Sequence, residues 1–91
     1  MTKDFHFPKD SIKICKMLSN PNRFRIIILL YPDNKLNVTE IINTLNLPPS
    51  YVSQQLSKMR GNMLEFERKG HEIYYYIEKL KVKAVIEILL N

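Results

Sequence analysis

Cysteine, glycine and long apolar runs are scarce in this sequence, and each scarcity removes a class of protein. A single cysteine, Cys15, in 91 residues excludes an internal disulfide framework and argues against a thiolate metal site within one chain. Two glycines, Gly61 and Gly70, are too few for a glycine-rich phosphate loop. There is no nucleophile elbow and no carboxylate pair at useful spacing, so an enzyme is not expected. The longest apolar run, Ile26 to Tyr31, is far shorter than the roughly 20 residues a membrane helix needs. The opening MTKDFHFPKD is too polar for a signal peptide. Internal repeats and low-complexity stretches are absent as well. The expectation is a small, soluble, cytoplasmic protein with no membrane partner.

What is present points outward. Hydrophobic residues make up 45% of the chain, more than so thin a core readily hides. The excess predicts a second apolar surface covered by a partner, most simply another copy of the chain. The net charge is +5, carried by scattered residues rather than a basic tail. Such a surface attracts phosphate, anionic lipid or an acidic protein.

Local patterns give the element order. Residues 1–9 read as an arm closed by Pro8. Ser11 can cap a helix running to about Leu18, with Ile12, Cys15 and Leu18 on one face. Asn20-Pro21 starts a second helix, in which Asn accepts a backbone N–H and Pro at the first position loses no bond. This helix is apolar nearly all round from Ile26 to Leu30, which predicts a central place, and Pro32 ends it. Asn37 and Glu40 form a capping box for a two-turn helix with Val38, Ile41, Ile42 and Leu45 inward. Asn46-Leu47-Pro48 breaks it. Pro49 or Ser50 opens the next helix, which runs to about Arg60 with Val52, Leu56 and Met59 buried; Gly61-Asn62 stops it.

The period then falls to two. Leu64 to Arg68 alternates, Lys69-Gly70 turns, and Ile73 to Ile77 is β-branched and aromatic, which is a hairpin. Ile73, Tyr75 and Ile77 should face inward, with Tyr74 and Tyr76 on the other side. Helical spacing returns from Lys79 to Leu90, with Leu80, Ala84, Val85, Ile88 and Leu89 apolar. The chain therefore reads as one mainly α domain with a β-hairpin, a winged helix-turn-helix of order α-α-α-α-β-β-α. The helix-turn-helix spans 37–60, the wing 63–77, and the outer helices 10–18 and 79–90.

Residues 45–60, LNLPPSYVSQQLSKMR, resemble the recognition motif of the ArsR/SmtB family of bacterial regulators. Leu45, Leu47, Ser50, Val52, Ser53, Leu56 and Arg60 fall at matching positions. Leu18-Ser19-Asn20-Pro21-Asn22-Arg23 is similar to the family's approach to its second helix. Arg68-Lys69-Gly70-His71-Glu72-Ile73-Tyr74-Tyr75 is similar to its basic wing tip and following strand. Two departures stand out. Pro48 occupies the usual hydroxyl cap, leaving Ser50 as the alternative cap and a helix one turn shorter. The link from Arg60 to Leu64 is one residue short, with Asn62 in place of a glycine.

The resemblance implies a sequence-specific, double-stranded-DNA-binding transcriptional regulator, and a repressor. Short polar side chains on a recognition helix reach base edges and phosphates, which nominates Ser50, Tyr51, Ser53, Gln54, Gln55 and Lys58. The wing tip, Arg68, Lys69, Gly70 and His71, suits phosphate or minor-groove contact. Glu65 and Glu67 are expected to point away. Arg23 and Arg25, early in the central helix, divide between contacts inside the fold and a phosphate, and the sequence does not assign them. Relatives dimerise through the first and last helices, which nominates Ile12, Ile14, Met17, Val85, Ile88 and Leu89. A dimer would place two recognition helices roughly 34 Å apart, on a near-palindromic operator.

The family often senses metals, and here the carry-over stops. The third helix lacks a Cys-x-Cys pair, the last has no His or Asp, and His6 and His71 belong to no ligand cluster. No metal and no cofactor is expected. Cys15 reads as a small hydrophobe, with a redox switch across a dimer as the lesser reading. The alternatives from other classes are a winged-helix module that docks a protein, and a plasmid or phage copy-control or architectural DNA-binding protein.

Overall fold

The computed structural model describes residues 8–91. His6 and all but the last two residues of the 1–9 arm lie outside the described residues. Five helices and a small antiparallel sheet follow in chain order: α1 (Lys9–Leu18), α2 (Pro21–Leu30), β1 (Leu36–Asn37), α3 (Val38–Leu45), α4 (Pro49–Met59), β2 (Glu65–Lys69), β3 (Glu72–Tyr76) and α5 (Leu80–Leu90). The sheet order is β1-β3-β2.

Local chemistry explains the starts of α2 and α3. The Asn20 side chain accepts from the backbone N–H groups of Asn22 and Arg23, with Pro21 at the first helical position. Asn37 and Glu40 close the reciprocal capping box, at 2.8 and 2.9 Å. Asn46 ends α3 in the left-handed conformation, φ 55°, a position Asn tolerates better than most residues. In the wing, Gly70 takes φ 62° between paired strands, where a side chain would be strained.

α2 runs through the middle, with Ile26, Ile27 and Leu30 fully buried. Around it pack Ile14 of α1, Ile41 of α3, Val52, Leu56 and Met59 of α4, Tyr75 of β3, and Val82 and Ile86 of α5. Met63, Leu64 and Ile77 complete the core from the links.

Four features differ from the sequence reading. α1 begins at Lys9, not at a Ser11 cap; Ser11 lies inside its first turn and its N–H donates to Pro8 O. The buried residue of α1 is Ile14, while Ile12 and Cys15 are exposed. Apolar residues at 12, 14, 15, 17 and 18 cover more than one stripe, so spacing alone could not phase this helix. α4 begins at Pro49, one of the two openings offered by the sequence, so Ser50 is its second residue rather than its cap, and the helix is not a turn shorter. Finally, β1 adds a third strand, with Leu36 opposite Tyr75 and Asn37 opposite Tyr74. A two-residue strand has no periodicity for a sequence to show.

Candidate nucleic-acid interface

α4 carries two faces of different chemistry. Val52, Gln55, Leu56 and Met59 turn inward, and Ser50, Ser53, Gln54, Ser57 and Lys58 are exposed on the opposite side. Hydroxyls, an amide and one ammonium along a single exposed helix face are the donors and acceptors that base edges and phosphates can use. Ser57 joins the residues nominated from the sequence, and its place one turn beyond Ser53 and Gln54 is the signal for it.

Gln55 requires correction. It is only 4% exposed, and its Oε1 accepts from Arg23 Nη1 at 2.9 Å. A side chain so enclosed cannot reach a base edge. Tyr51 is half-buried, its hydroxyl accepting from Asn22 Nδ2 at 3.2 Å, so it is partly committed to the fold.

Arg23 and Arg25 both bond within the protomer, and neither makes an ion pair among the described residues. Arg23 also donates to the carbonyls of Met17 (2.9 Å) and Lys16 (3.3 Å). Arg25 donates to Asn22 Oδ1 (3.3 Å) and to Leu45 O (3.1 Å), satisfying a carbonyl at the end of α3.

The wing tip exposes Arg68, Lys69, Gly70 and His71 around the turn. Register puts Glu65 opposite Tyr76 and Glu67 opposite Tyr74, so these acids share the sheet face away from Phe66 and Tyr75. Glu67 is held by Lys35 at 3.1 Å and more loosely by Lys69 at 3.8 Å. The hydrogen bond from Lys35, with its charge, lowers the Glu67 pKa below the ordinary carboxylate value. Lys35 and Lys69 also lie over the rings of Tyr76 and Tyr74, at 4.8 and 5.6 Å. On the other face Arg60 sits 4.1 Å from the centre of the Phe66 ring and joins the end of α4 to the wing.

Apolar side chains are also exposed on α1 and α5. Ile12 (44%), Leu80 (80%), Ile88 (73%), Leu89 (55%) and Leu90 (47%) are exposed. Met17 and Val85 are partly buried. Ile14 is 3% exposed, so it belongs to the chain's own core and is not available to a partner. Cys15 is exposed, not enclosed as a small hydrophobe. No helix of the described residues is long and apolar enough to cross a membrane.

Comparison with known proteins agrees with this geometry. The family model described as "Bacterial regulatory protein, arsR family" matches residues 20–62, from the cap of α2 to the end of the recognition segment. The chain is 46% identical to the transcriptional repressor PagR of Bacillus anthracis, over 89% of this chain and 82% of that protein. The crystal structure of PagR superposes with a TM-score of 0.83, covering 89% of this chain and 93% of that one. The chain is also 34% identical to the transcriptional activator HlyU of Vibrio cholerae, over 87% of this chain and 73% of that protein. A structure of HlyU gives a TM-score of 0.82 at 30% identity, over 88% of this chain and 87% of that one. A polar recognition helix, a basic wing, and the same fold across nearly the whole length of such relatives converge on one assignment. The chain belongs to the arsR family of bacterial regulatory proteins and is a winged helix-turn-helix transcriptional regulator.

Proposed function

We propose that the protein is a cytoplasmic, dimeric repressor that reads a near-palindromic double-stranded operator. The observation that carries this reading is the exposed polar face of α4. Ser50, Ser53, Gln54 and Ser57 contact base edges or the adjoining sugar-phosphate. Gln54 is suited to bidentate pairing with adenine, and Lys58 meets a phosphate. Arg68, Lys69 and His71 follow the flanking backbone from the wing, with Gly70 letting the turn approach closely. Two protomers join through Ile12, Met17, Val85, Ile88 and Leu89, and Leu80 and Leu90 extend that surface. Repression follows the greater similarity to PagR than to the activator HlyU. A bound dimer would exclude polymerase from the promoter.

The test is fluorescence anisotropy of the protein on duplex DNA from upstream of its own gene. An unrelated duplex serves as control, and salt is raised stepwise. The expected result is selective binding that weakens by orders of magnitude between low and moderate salt, because each phosphate contact releases counterions. Absence of selectivity at low salt would overturn the reading and favour a winged helix that docks a protein. Selective binding by a protein that sediments as a monomer would overturn the dimer.

A further inference from the structure

Gln55 is the one buried polar side chain among the described residues, and it lies on the helix that reads DNA. A buried amide is costly when unpaired, so its surroundings must answer it. They do so through Arg23, whose guanidinium bonds to two elements at once. Its Nε donates to Met17 O (2.9 Å) and Nη2 to Lys16 O (3.3 Å), both in the last turn of α1. Its Nη1 donates to Gln55 Oε1 in the middle of α4. The preceding residue, Asn22, donates from Nδ2 to Tyr51 Oη, one helical turn earlier on α4. Consecutive residues of α2 thus grip α4 at two points about 6 Å apart along its axis. The two directional bonds add a restraint on tilt and rotation to the apolar packing of Val52, Leu56 and Met59, which alone is non-directional.

We propose that Arg23 and Gln55 are positioning residues that lock the recognition helix to α1, and so set which half-site separation a dimer accepts. The proposal rests on the dimeric DNA-binding reading above. Since α1 belongs to the dimer surface, a rigid tie from α1 through Arg23 to α4 transmits the dimer's geometry to the spacing of its two reading faces. Gln55 itself touches no base. Its amide carbonyl is a fixed acceptor for the arginine fork, whose planar donors suit such placement.

The test compares wild type with Q55M, Q55E and R23K. The probes are the duplex from upstream of the gene, the same duplex with one base pair added or removed between half-sites, and a set of single base-pair substitutions. Q55M keeps the volume and loses the acceptor. It is expected to bind the native spacing about tenfold more weakly, and to lose most of the discrimination against altered spacings. Its preference at every individual base pair should equal that of wild type. R23K, which cannot span three acceptors, should match Q55M. Q55E restores an acceptor for Arg23 and should stay within about threefold of wild type. The double variant R23K/Q55M should be no worse than either single change, because the two residues act as one unit.

Relaxed preference at a single base pair in Q55M would show that Gln55 reads a base, and would overturn the proposal. So would binding by Q55M equal to wild type. Uniform weakening that tracks a lost folded fraction by circular dichroism, with spacing discrimination intact, would reduce the contact to ordinary stability and overturn it too. Wild-type protein that selects no duplex would instead overturn the DNA-binding reading itself. The two failures are therefore distinct.

Discussion

α4 and α5 are each eleven residues long, and neither has a side-chain cap at its start. Their inner faces share an apolar part, Val52, Leu56 and Met59 in one and Val82 and Ile86 in the other, all within 1% of complete burial, and α4 alone adds a buried polar group, Gln55. Their outer faces are opposites. α4 shows serines, an amide and a lysine, whereas α5 shows Leu80, Ile88, Leu89 and Leu90 beside the charged Lys81 and Glu87. An inner face holds the fold together, whereas an outer face sets what the helix can meet: under the proposed function, phosphate and base edges for α4 and another apolar surface for α5. Two helices that fill the same core thus differ in what they show outside it.

Changes to the inner faces should expose the likeness. Leu56→Ala and Ile86→Ala should each destabilise the protein by about 2–5 kcal/mol, through lost transfer energy and the cavity left behind. Urea unfolding measures this, and a loss on only one of the helices would break the symmetry just drawn.

Changes to the outer faces should expose the difference. Ile88→Glu, at a position 73% exposed in the protomer, should leave the fold intact and yield monomers by sedimentation. Losing the second half-site should cost the operator affinity a factor of about 10² or more, because binding is no longer bivalent. A monomeric variant with full operator affinity would contradict the dimer surface. On α4, Gln54→Ala should cost about 1–3 kcal/mol on the preferred duplex and relax selectivity, and Lys58→Ala should weaken all duplexes alike and reduce the salt slope by about 1. Anisotropy titrations separate the two, and identical behaviour by both variants would remove the division between reading and anchoring.

The smallest expected effect concerns acid. Asp10 of α1 is bonded to Lys81 of α5, and Glu67 of the wing to Lys35, each at 3.1 Å. The lysine hydrogen bond is the largest cause lowering each carboxyl below its ordinary pKa. Groups with a depressed folded pKa contribute stability above the unfolded pKa, and that contribution disappears as pH falls through the folded value. The urea midpoint should therefore decline as pH drops below the ordinary carboxylate range. Lys81→Met and Lys35→Met should each flatten that decline slightly, since both pairs are exposed and screened. An unchanged acid limb in both variants would assign the decline to other groups.

Much of this was legible in the sequence because much of it is local. Asn20 and Asn37 act on backbone within three residues, so their caps could be read directly. The wing showed itself through alternation and Gly70. The arrangement of Gln55 was not legible, since an inward glutamine makes sense only beside Arg23, 32 residues away in sequence. A stretch of polar letters on a recognition helix looks uniformly outward until its axis is phased. The start of α4 stayed open between Pro49 and Ser50 for a different reason. Two prolines remove the side-chain cap from which a helix start is normally read, although Pro49 sits well at a first helical position. On α5 the apolar stripe seen in the sequence, Leu80, Ala84 and Ile88, is the exposed one, and the core takes Val82 and Ile86 instead.

Asn37 does two jobs at a single residue. It is the last residue of β1, paired across the sheet with Tyr74, and its side chain starts α3. The wing and the helix-turn-helix are therefore riveted at one peptide and cannot swing independently without breaking a cap or a strand pairing. The entropy of holding wing and reading helix at a fixed angle is spent when the chain folds, not when it meets DNA. The fold is pre-organised, so its docking on DNA should resemble rigid docking, and in the proposed dimer whatever adjusts between free and bound states falls to the relation between the two copies.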